Sequence, residues 1–261
     1  MNDPVPAAGG DRYARIRIVT ALDFERIRHS TICVAGAGAL GNEVLKNMAL
    51  YGPRKLVVVD NDSVDLSNLG RCFLFTEEDA LSGRGKADAA CESLRRINSD
   101  VEFEGRECDV LELDRAFFSV FDAVIGCLDN INARLHVNSN CYYAGVPYID
   151  GGLDGLTGRV QVVVPPEGAC YQCTLNASHM KVLDRYFSCS GRETNIPRRR
   201  VPAEPSVSAL IGSIQSLEAA KLLSGKAQGD SMQFYDGAMN WLENISVAIE
   251  PGCDNHGEMI K

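Results

Sequence analysis

Residues Gly36–Gly41 read GAGALG, and they stand between a short apolar run and an amphipathic one. The run before them, Thr31–Ala35 (TICVA), is apolar and bounded by glycine, as a buried strand is. From Asn42 to Leu50 the apolar residues recur at helical spacing, with Val44, Leu45, Met48 and Ala49 on one side. Lys55–Val59 (KLVVV) is a second buried strand that ends at Asp60. Strand, glycine turn, helix and strand make one βαβ unit, so a parallel sheet follows. Gly36, Gly38 and Gly41 permit a tight turn and let a phosphate approach the backbone. The free N–H groups of the helix N-terminus then face that phosphate. Asp60, 19 residues past Gly41, stands where an acid accepts a hydrogen bond from a ribose hydroxyl.

The alternation continues. Short stretches predict a helix at Asp23–His29, a helix at Gly85–Ile97 and a strand at Val101–Arg106. Asp122–Gly126 reads as a buried strand, Asn130–Ala144 as a helix and Pro147–Ile149 as a strand edge. Up to about residue 150 this is a doubly wound nucleotide-binding sheet. Gly158–Val164 (GRVQVVV) then alternates in polarity, as an antiparallel or mixed-sheet strand does. Residues 166–206 keep no steady period, and an aperiodic stretch of that length is usually functional or mobile. Ser206 is the expected N-cap of a long helix to Leu223, closed by Gly225. Met232–Tyr235 and Ile245–Ile249 are expected as two further strands.

The 261 residues suffice for one large α/β domain or two small ones. A formal net charge of -9 argues against nucleic-acid binding by general electrostatics. The opening MNDPVPAAGGD has no basic flank and apolar run, so no secretory signal is expected. The most apolar long stretch, Val207–Leu223, is broken by Gln215, Glu218 and Lys221, so no membrane span is expected either. These features predict a cytoplasmic protein. There, the ten cysteines are core residues, metal ligands or nucleophiles sooner than disulfides. Cys33, Cys91, Cys108, Cys127 and Cys141 lie in apolar strand or helix patterns and read as core.

The glycine fingerprint taken alone has NAD(P) as its default ligand. Three other segments argue for a nucleotide with more charge to manage. Asp60-Asn61-Asp62 runs on through Val64 to Ser67-Asn68-Leu69-Gly70-Arg71, Gly83 and Gly85 precede Lys86, and Cys127-Leu128-Asp129-Asn130 follows a strand. A hydride-transfer site needs no cluster of Arg, Lys and a metal-ready Asp, whereas a site that moves charge on a triphosphate does. In this order and spacing, GAGALG, DNDSVDLSNLGR, GRGK and CLDN resemble the ThiF/MoeB/HesA family and the adenylating half of ubiquitin-activating enzymes. The resemblance covers residues 12 to 257.

It implies an α/β fold: a doubly wound, Rossmann-like, mostly parallel sheet extended by antiparallel strands. Residues 1–11 would be a tail and 12–261 a single adenylation domain. Within it, 12–150 would be the nucleotide-binding half and 151–261 the carrier-binding half, with the crossover loop at 166–206. The implied function is ATP-dependent adenylation of the C-terminal glycine carboxylate of a small ubiquitin-like or sulfur-carrier protein ending in Gly-Gly. Such a carboxylate is already ionised at neutral pH, so it needs no general base. The barrier lies in bringing an anion to a polyanion, and positive groups plus positioning are the catalysts. Arg71 and Lys86 are therefore assigned to the phosphates, Asn68 to phosphate or ribose, and Asp60 and Asp62 to ribose and nearby polar atoms. Asp129 is assigned to Mg²⁺. DRYAR is similar to the family's RYxRQ segment, so Arg15 matches an arginine that crosses to a neighbouring subunit's ATP, in a homodimer. Two positions depart from the family: Cys72 and Ile16 stand where glutamines are usual.

Cys170-Tyr-Gln-Cys173 and Cys253-Asp-Asn-His256 supply four soft or borderline ligands, enough for a closed, structural zinc site. The family usually shows two CxxC pairs, so His256 is a conservative departure. Cys189, in Tyr186-Phe-Ser-Cys-Ser-Gly191, matches a crossover-segment cysteine that accepts the activated carrier in related enzymes. Arg192 and Arg198–Arg200 stand nearby in sequence to favour its thiolate or to meet an acidic partner. A downstream conjugating or sulfur-transfer protein is a further implied partner. The rival functions are activation of a carboxylate on a tRNA nucleoside, an NAD(P)-binding oxidoreductase and a catalytically silent scaffold subunit.

Overall fold

In the computed structural model, which describes residues 11–175, 202–226 and 231–256, eight strands form one sheet. The strands are β1 (Thr31–Ala35), β2 (Lys55–Val59), β3 (Glu102–Arg106), β4 (Ala123–Gly126), β5 (Tyr148–Asp154), β6 (Thr157–Val163), β7 (Ser231–Asp236) and β8 (Trp241–Ser246). Their order is β3-β2-β1-β4-β5-β6-β7-β8. The first five are parallel, and β6, β7 and β8 are added antiparallel. The expected fold class is thus the observed one.

Helices cover both faces, as a parallel sheet requires. On one face α2 (Ala39–Tyr51), α4 (Lys86–Ile97) and α7 (Pro205–Leu223) bury Val44, Leu45, Leu94 and Ile211 against Ile32, Val58 and Ile149. On the other, α5 (Arg115–Phe118) and α6 (Ile131–Ala144) bury Phe118, Val137 and Cys141 against Cys33 and Val124. Two further described helices, α1 (Phe24–His29) and α3 (Glu77–Ser82), are short and capped by Asp23 and Thr76. Among the described residues no helix is long and apolar enough to cross a membrane.

Several expected boundaries move. Helix α2 opens at Ala39, not Asn42, because Gly38 caps it and accepts the Asn42 N–H at 2.9 Å. Ser206 is inside α7; the N-cap is Glu204, whose carboxylate accepts the Val207 N–H at 2.7 Å, and Pro205 takes the first turn, where its missing N–H costs nothing. Left-handed Gly225 follows the C-terminus of α7 as expected. Strand β8 is Trp241–Ser246 in place of Ile245–Ile249: the turn at 237–240 pairs Asp236 with Trp241, and that register, not apolar content, defines the strand. Helices α3 and α5 were not expected from the sequence. Each is too short for a periodicity signal, and caps at Thr76 and Asp114 define them.

Candidate active site and metal centre

Chain order reverses between β1 and β4, and a crevice opens outside the C-terminal ends of such strands. Gly36 ends β1 there with φ +98°, and a side chain at Gly36 would meet the Cys127 carbonyl oxygen at 2.5 Å. A side chain at Gly41 would lie 2.0 Å from the Gly36 carbonyl oxygen. These two positions require glycine, by backbone conformation and by close approach respectively. At Gly38 an added Cβ meets nothing, so that part of the loop stays open. The N-terminus of α2 follows, with no side-chain cap on its N–H groups.

Asp60 braces this loop. One carboxylate oxygen accepts the Ala37 N–H at 2.7 Å and the other the Asp62 N–H at 2.8 Å. Burial pushes the Asp60 carboxyl up, against the pull of Lys86 and the two N–H donors. Asp62 in turn pairs with the Lys86 ammonium at 2.8 Å and accepts the Lys86 N–H on its carbonyl at 2.9 Å. Lys86 opens α4, so its ammonium stands at the helix N-terminus. Asn68 is buried, and its side-chain oxygen accepts the Asp65 N–H at 2.9 Å, which closes a capped turn just before Arg71. The Arg71 guanidinium donates to the Ser67 carbonyl. Arg71 and Lys86 both act on the Cys72 thiol between them, which burial nevertheless pushes up to about 11. Asp60, Asp62, Asn68, Arg71 and Lys86 therefore border one side of the crevice.

Asp129 stands exposed on the other side, two residues past Cys127, with one oxygen accepting from the Asn130 amide at 3.3 Å. Arg15 is elsewhere. Tyr13, two residues before it, packs on Gly52 at the C-terminal end of α2 and accepts the Asn98 amide at 2.8 Å. Helix α2 has 13 residues, about 20 Å of rise, so Arg15 lies at the opposite end of α2 from the glycine loop of its own chain. Cys189, together with Arg192 and Arg198–Arg200, falls outside the described residues.

Three residues that sequence reading did not single out hold the site together. Asn42 donates to the Ala37 and Gly38 carbonyls at 2.8 and 3.1 Å and accepts the Leu74 N–H at 2.9 Å, tying the glycine loop to the Arg71 segment. Gln215 of α7 donates to the Gly126 and Ile149 carbonyls at 2.9 and 3.2 Å, bridging the last residue of β4 and the second of β5. Arg134 of α6 grips the Leu128 carbonyl with two donors, at 3.0 and 2.6 Å. The available signal was position: Asn42 and Arg134 both sit in the first turn or two after a loop at a strand's C-terminal end. Cys127 is half-buried and packs against the core, beside Gly36 and Gly41.

The metal-ligand set comes together as expected. The Cys170, Cys173, Cys253 and His256 ligand atoms all lie within 4.8 Å of one another. Cys170 Sγ is 3.9 Å from Cys173 Sγ and 3.6 Å from Cys253 Sγ, and Cys173 Sγ is 3.6 Å from His256 Nδ1. A zinc tetrahedron with bonds of about 2.3 Å has edges of about 3.8 Å. His256 Nε2 sits 3.0 Å from the Gly168 carbonyl, which holds a proton on Nε2 and leaves Nδ1 for a metal. Burial, with Cys170 close by, holds the Cys253 thiol far above its ordinary value, which a dication would reverse.

The ThiF family matches residues 11–255. The chain is 38% identical over 252 residues to SUMO-activating enzyme subunit 2 of Dictyostelium discoideum, covering 95% of this chain and 35% of that protein. It therefore spans about a third of that relative's length. It is 29% identical over 255 residues to molybdopterin-synthase adenylyltransferase of Escherichia coli, covering 95% and 96% respectively. Among solved structures, E. coli MccB with ATP superposes with a TM-score of 0.77 at 18% identity, over 96% of this chain and 75% of that one, which shows a shared fold.

Proposed function

The chain belongs to the ThiF family, and from that premise we propose that it adenylates the C-terminal carboxylate of a ubiquitin-like or sulfur-carrier protein ending in Gly-Gly, using ATP and Mg²⁺. One observation carries the reading: the Lys86 ammonium is linked through Asp62 and Asp60 to the Ala37 N–H of the glycine loop. A cation and a phosphate-sized turn are thus brought to the same side of the crevice.

The open backbone at Gly38 and the N-terminus of α2 receive phosphate oxygens. Lys86 exchanges Asp62 for phosphate, and Arg71 leaves the Ser67 carbonyl to do the same, so positive charge meets the charge that spreads at the α-phosphate. Asp60 keeps unused lone pairs for ribose hydroxyls, and Asn68 orients the turn that carries Arg71. Asp129 suits Mg²⁺, which takes one or two carboxylates and otherwise keeps water and substrate phosphates. Bound there, the ion would neutralise phosphate charge in the transition state. Cys170, Cys173, Cys253 and His256 would hold a structural zinc. The location of Arg15, far from its own glycine loop, supports a homodimer in which it serves the neighbouring site. Cys189 stays the proposed acceptor thiol, because Cys72 is buried with a raised pKa. None of the nine described cysteines is in a disulfide.

The test pairs nucleotide titration with pyrophosphate exchange. ATP with Mg²⁺ should bind and NAD should not, and exchange should require a carrier ending in Gly-Gly and stop when its last glycine is removed. Tight NAD binding without ATP binding would overturn the reading in favour of the oxidoreductase.

A further inference from the structure

Beneath the Leu128–Asp129 loop lies a polar cluster that the chemistry above does not use. The Asp150 side chain, in β5 opposite the last residue of β4, is fully buried. It pairs with Arg134 at 3.1 Å and with Arg159 at 3.6 Å, and it accepts the Tyr148 hydroxyl at 2.9 Å. The Arg134 side chain is only 11% exposed. Burial opposes its charge, but Asp150 and the two tyrosines around it raise its pKa. The strand leaves room for this: a Cβ at Gly152 would lie 2.8 Å from one Arg134 nitrogen and 3.4 Å from an Arg159 nitrogen.

A buried ion pair of this kind is a poor device for stability, since apolar residues of the same volume often do as well or better. Its geometry shows what it is good for. Arg134 sits one turn into α6, and its side chain runs back toward the helix N-terminus, as helical side chains do. There it donates twice to the Leu128 carbonyl, one residue before Asp129, and once to Asp150. A planar guanidinium can make these bonds together, and a lysine cannot.

We propose that Arg134, oriented by Asp150 and Tyr148, is the positioning residue for Asp129, which it holds in place through the Leu128 carbonyl. This rests on the adenylation reading in its assignment of Asp129 to the divalent cation. Asp150 and Tyr148 thereby become part of the active site without touching substrate.

The experiment is a double-mutant cycle on the full chain, with Mn²⁺ and ATP as probes. Mn²⁺ resonance gives affinity for Mn²⁺–ATP, and a separate titration in chelator gives affinity for metal-free ATP. Arg134→Lys keeps a charge opposite Asp150 but loses the twofold grip on Leu128. It should weaken Mn²⁺–ATP by about ten-fold or more, as loss of an outer-shell partner does, and change metal-free ATP by less than about two-fold. In an Asp129→Asn background the same change should cost nothing further. Tyr148→Phe, which keeps both charges and the volume, should act in the same direction by a smaller factor, and it stands in if the lysine variant does not fold. Equal losses with and without Asp129, or equal losses for metal-free ATP, would overturn the proposal and leave the adenylation reading intact. A wild-type chain that binds no Mn²⁺–ATP would overturn both.

Discussion

The two ion pairs that flank the crevice are built differently. Lys86 and Asp62 meet at 2.8 Å with Asp62 45% exposed, whereas Arg134 and Asp150 meet at 3.1 Å with Asp150 fully buried. The first can break and re-form at little cost, because water and salt screen it. The second cannot, because a partner left alone in the interior keeps an uncompensated charge. A second contrast runs along the sheet. Strands β1, β2 and β4 are buried almost throughout and are held by apolar packing. Strands β7 and β8 contain no fully buried residue, so that end of the sheet depends on α7 and the cysteine–histidine tetrad.

Metal removal should give the largest separation between the central strands and the tetrad. Structural zinc in small domains contributes on the order of 10 kcal/mol of folding free energy at neutral pH. Elemental analysis should find one zinc per chain. Chelation should lower the melting temperature and speed amide exchange around 169–175 and 253–256, while β1 and β4 stay protected. Uniform loss of protection along the chain would break the contrast between the central strands and the tetrad.

The two ion pairs come next. Asp150→Ala should cost about 3–5 kcal/mol in urea unfolding, because Arg134 and Arg159 lose their buried partner. Lys86→Ala should change stability by no more than about 1 kcal/mol, given the exposure of Asp62. Yet it should slow carrier-dependent pyrophosphate exchange by about 100-fold or more. Similar unfolding costs for both variants would mean that exposure does not divide these pairs.

The smallest effect is that of acid. Thr76 and Arg84 draw the Asp79 carboxyl below its ordinary value despite burial, and Lys55 does the same for Glu104. Each binds fewer protons folded than unfolded, so its contribution is complete above the ordinary carboxylate range. It is lost as pH falls through the lowered value. Asp60, raised by burial, works in the opposite sense. Melting temperature followed from pH 7 to pH 3 should decline shallowly, and less so in Glu104→Gln.

The glycine loop, Asp60, Lys86, Arg71 and the four candidate metal ligands can all be picked out in the sequence, because each belongs to a short segment whose chemistry is local. Gly36 needs a left-handed backbone whatever surrounds it, and two ligand pairs three residues apart declare themselves by residue type. Asn42, Gln215 and Arg134 were not legible. Each looks like an ordinary polar helix residue until folding brings it to a carbonyl from another segment.

Fold class was likewise a property of pattern: apolar runs alternating with helical periods leave a parallel sheet as the natural outcome. Where pattern is absent the sequence is silent, as at β8, whose register comes from the turn after Gly237 and whose exposed strand has no apolar face to declare it. The sequence by itself determined a doubly wound nucleotide fold with a candidate zinc tetrad. Only the tertiary structure decided that Asp150 is sealed from water, that Arg134 reaches back to Leu128, and that Arg15 lies far from its own glycine loop. Burial and long-range hydrogen bonding depend on which segments meet, and no local run of residues records that.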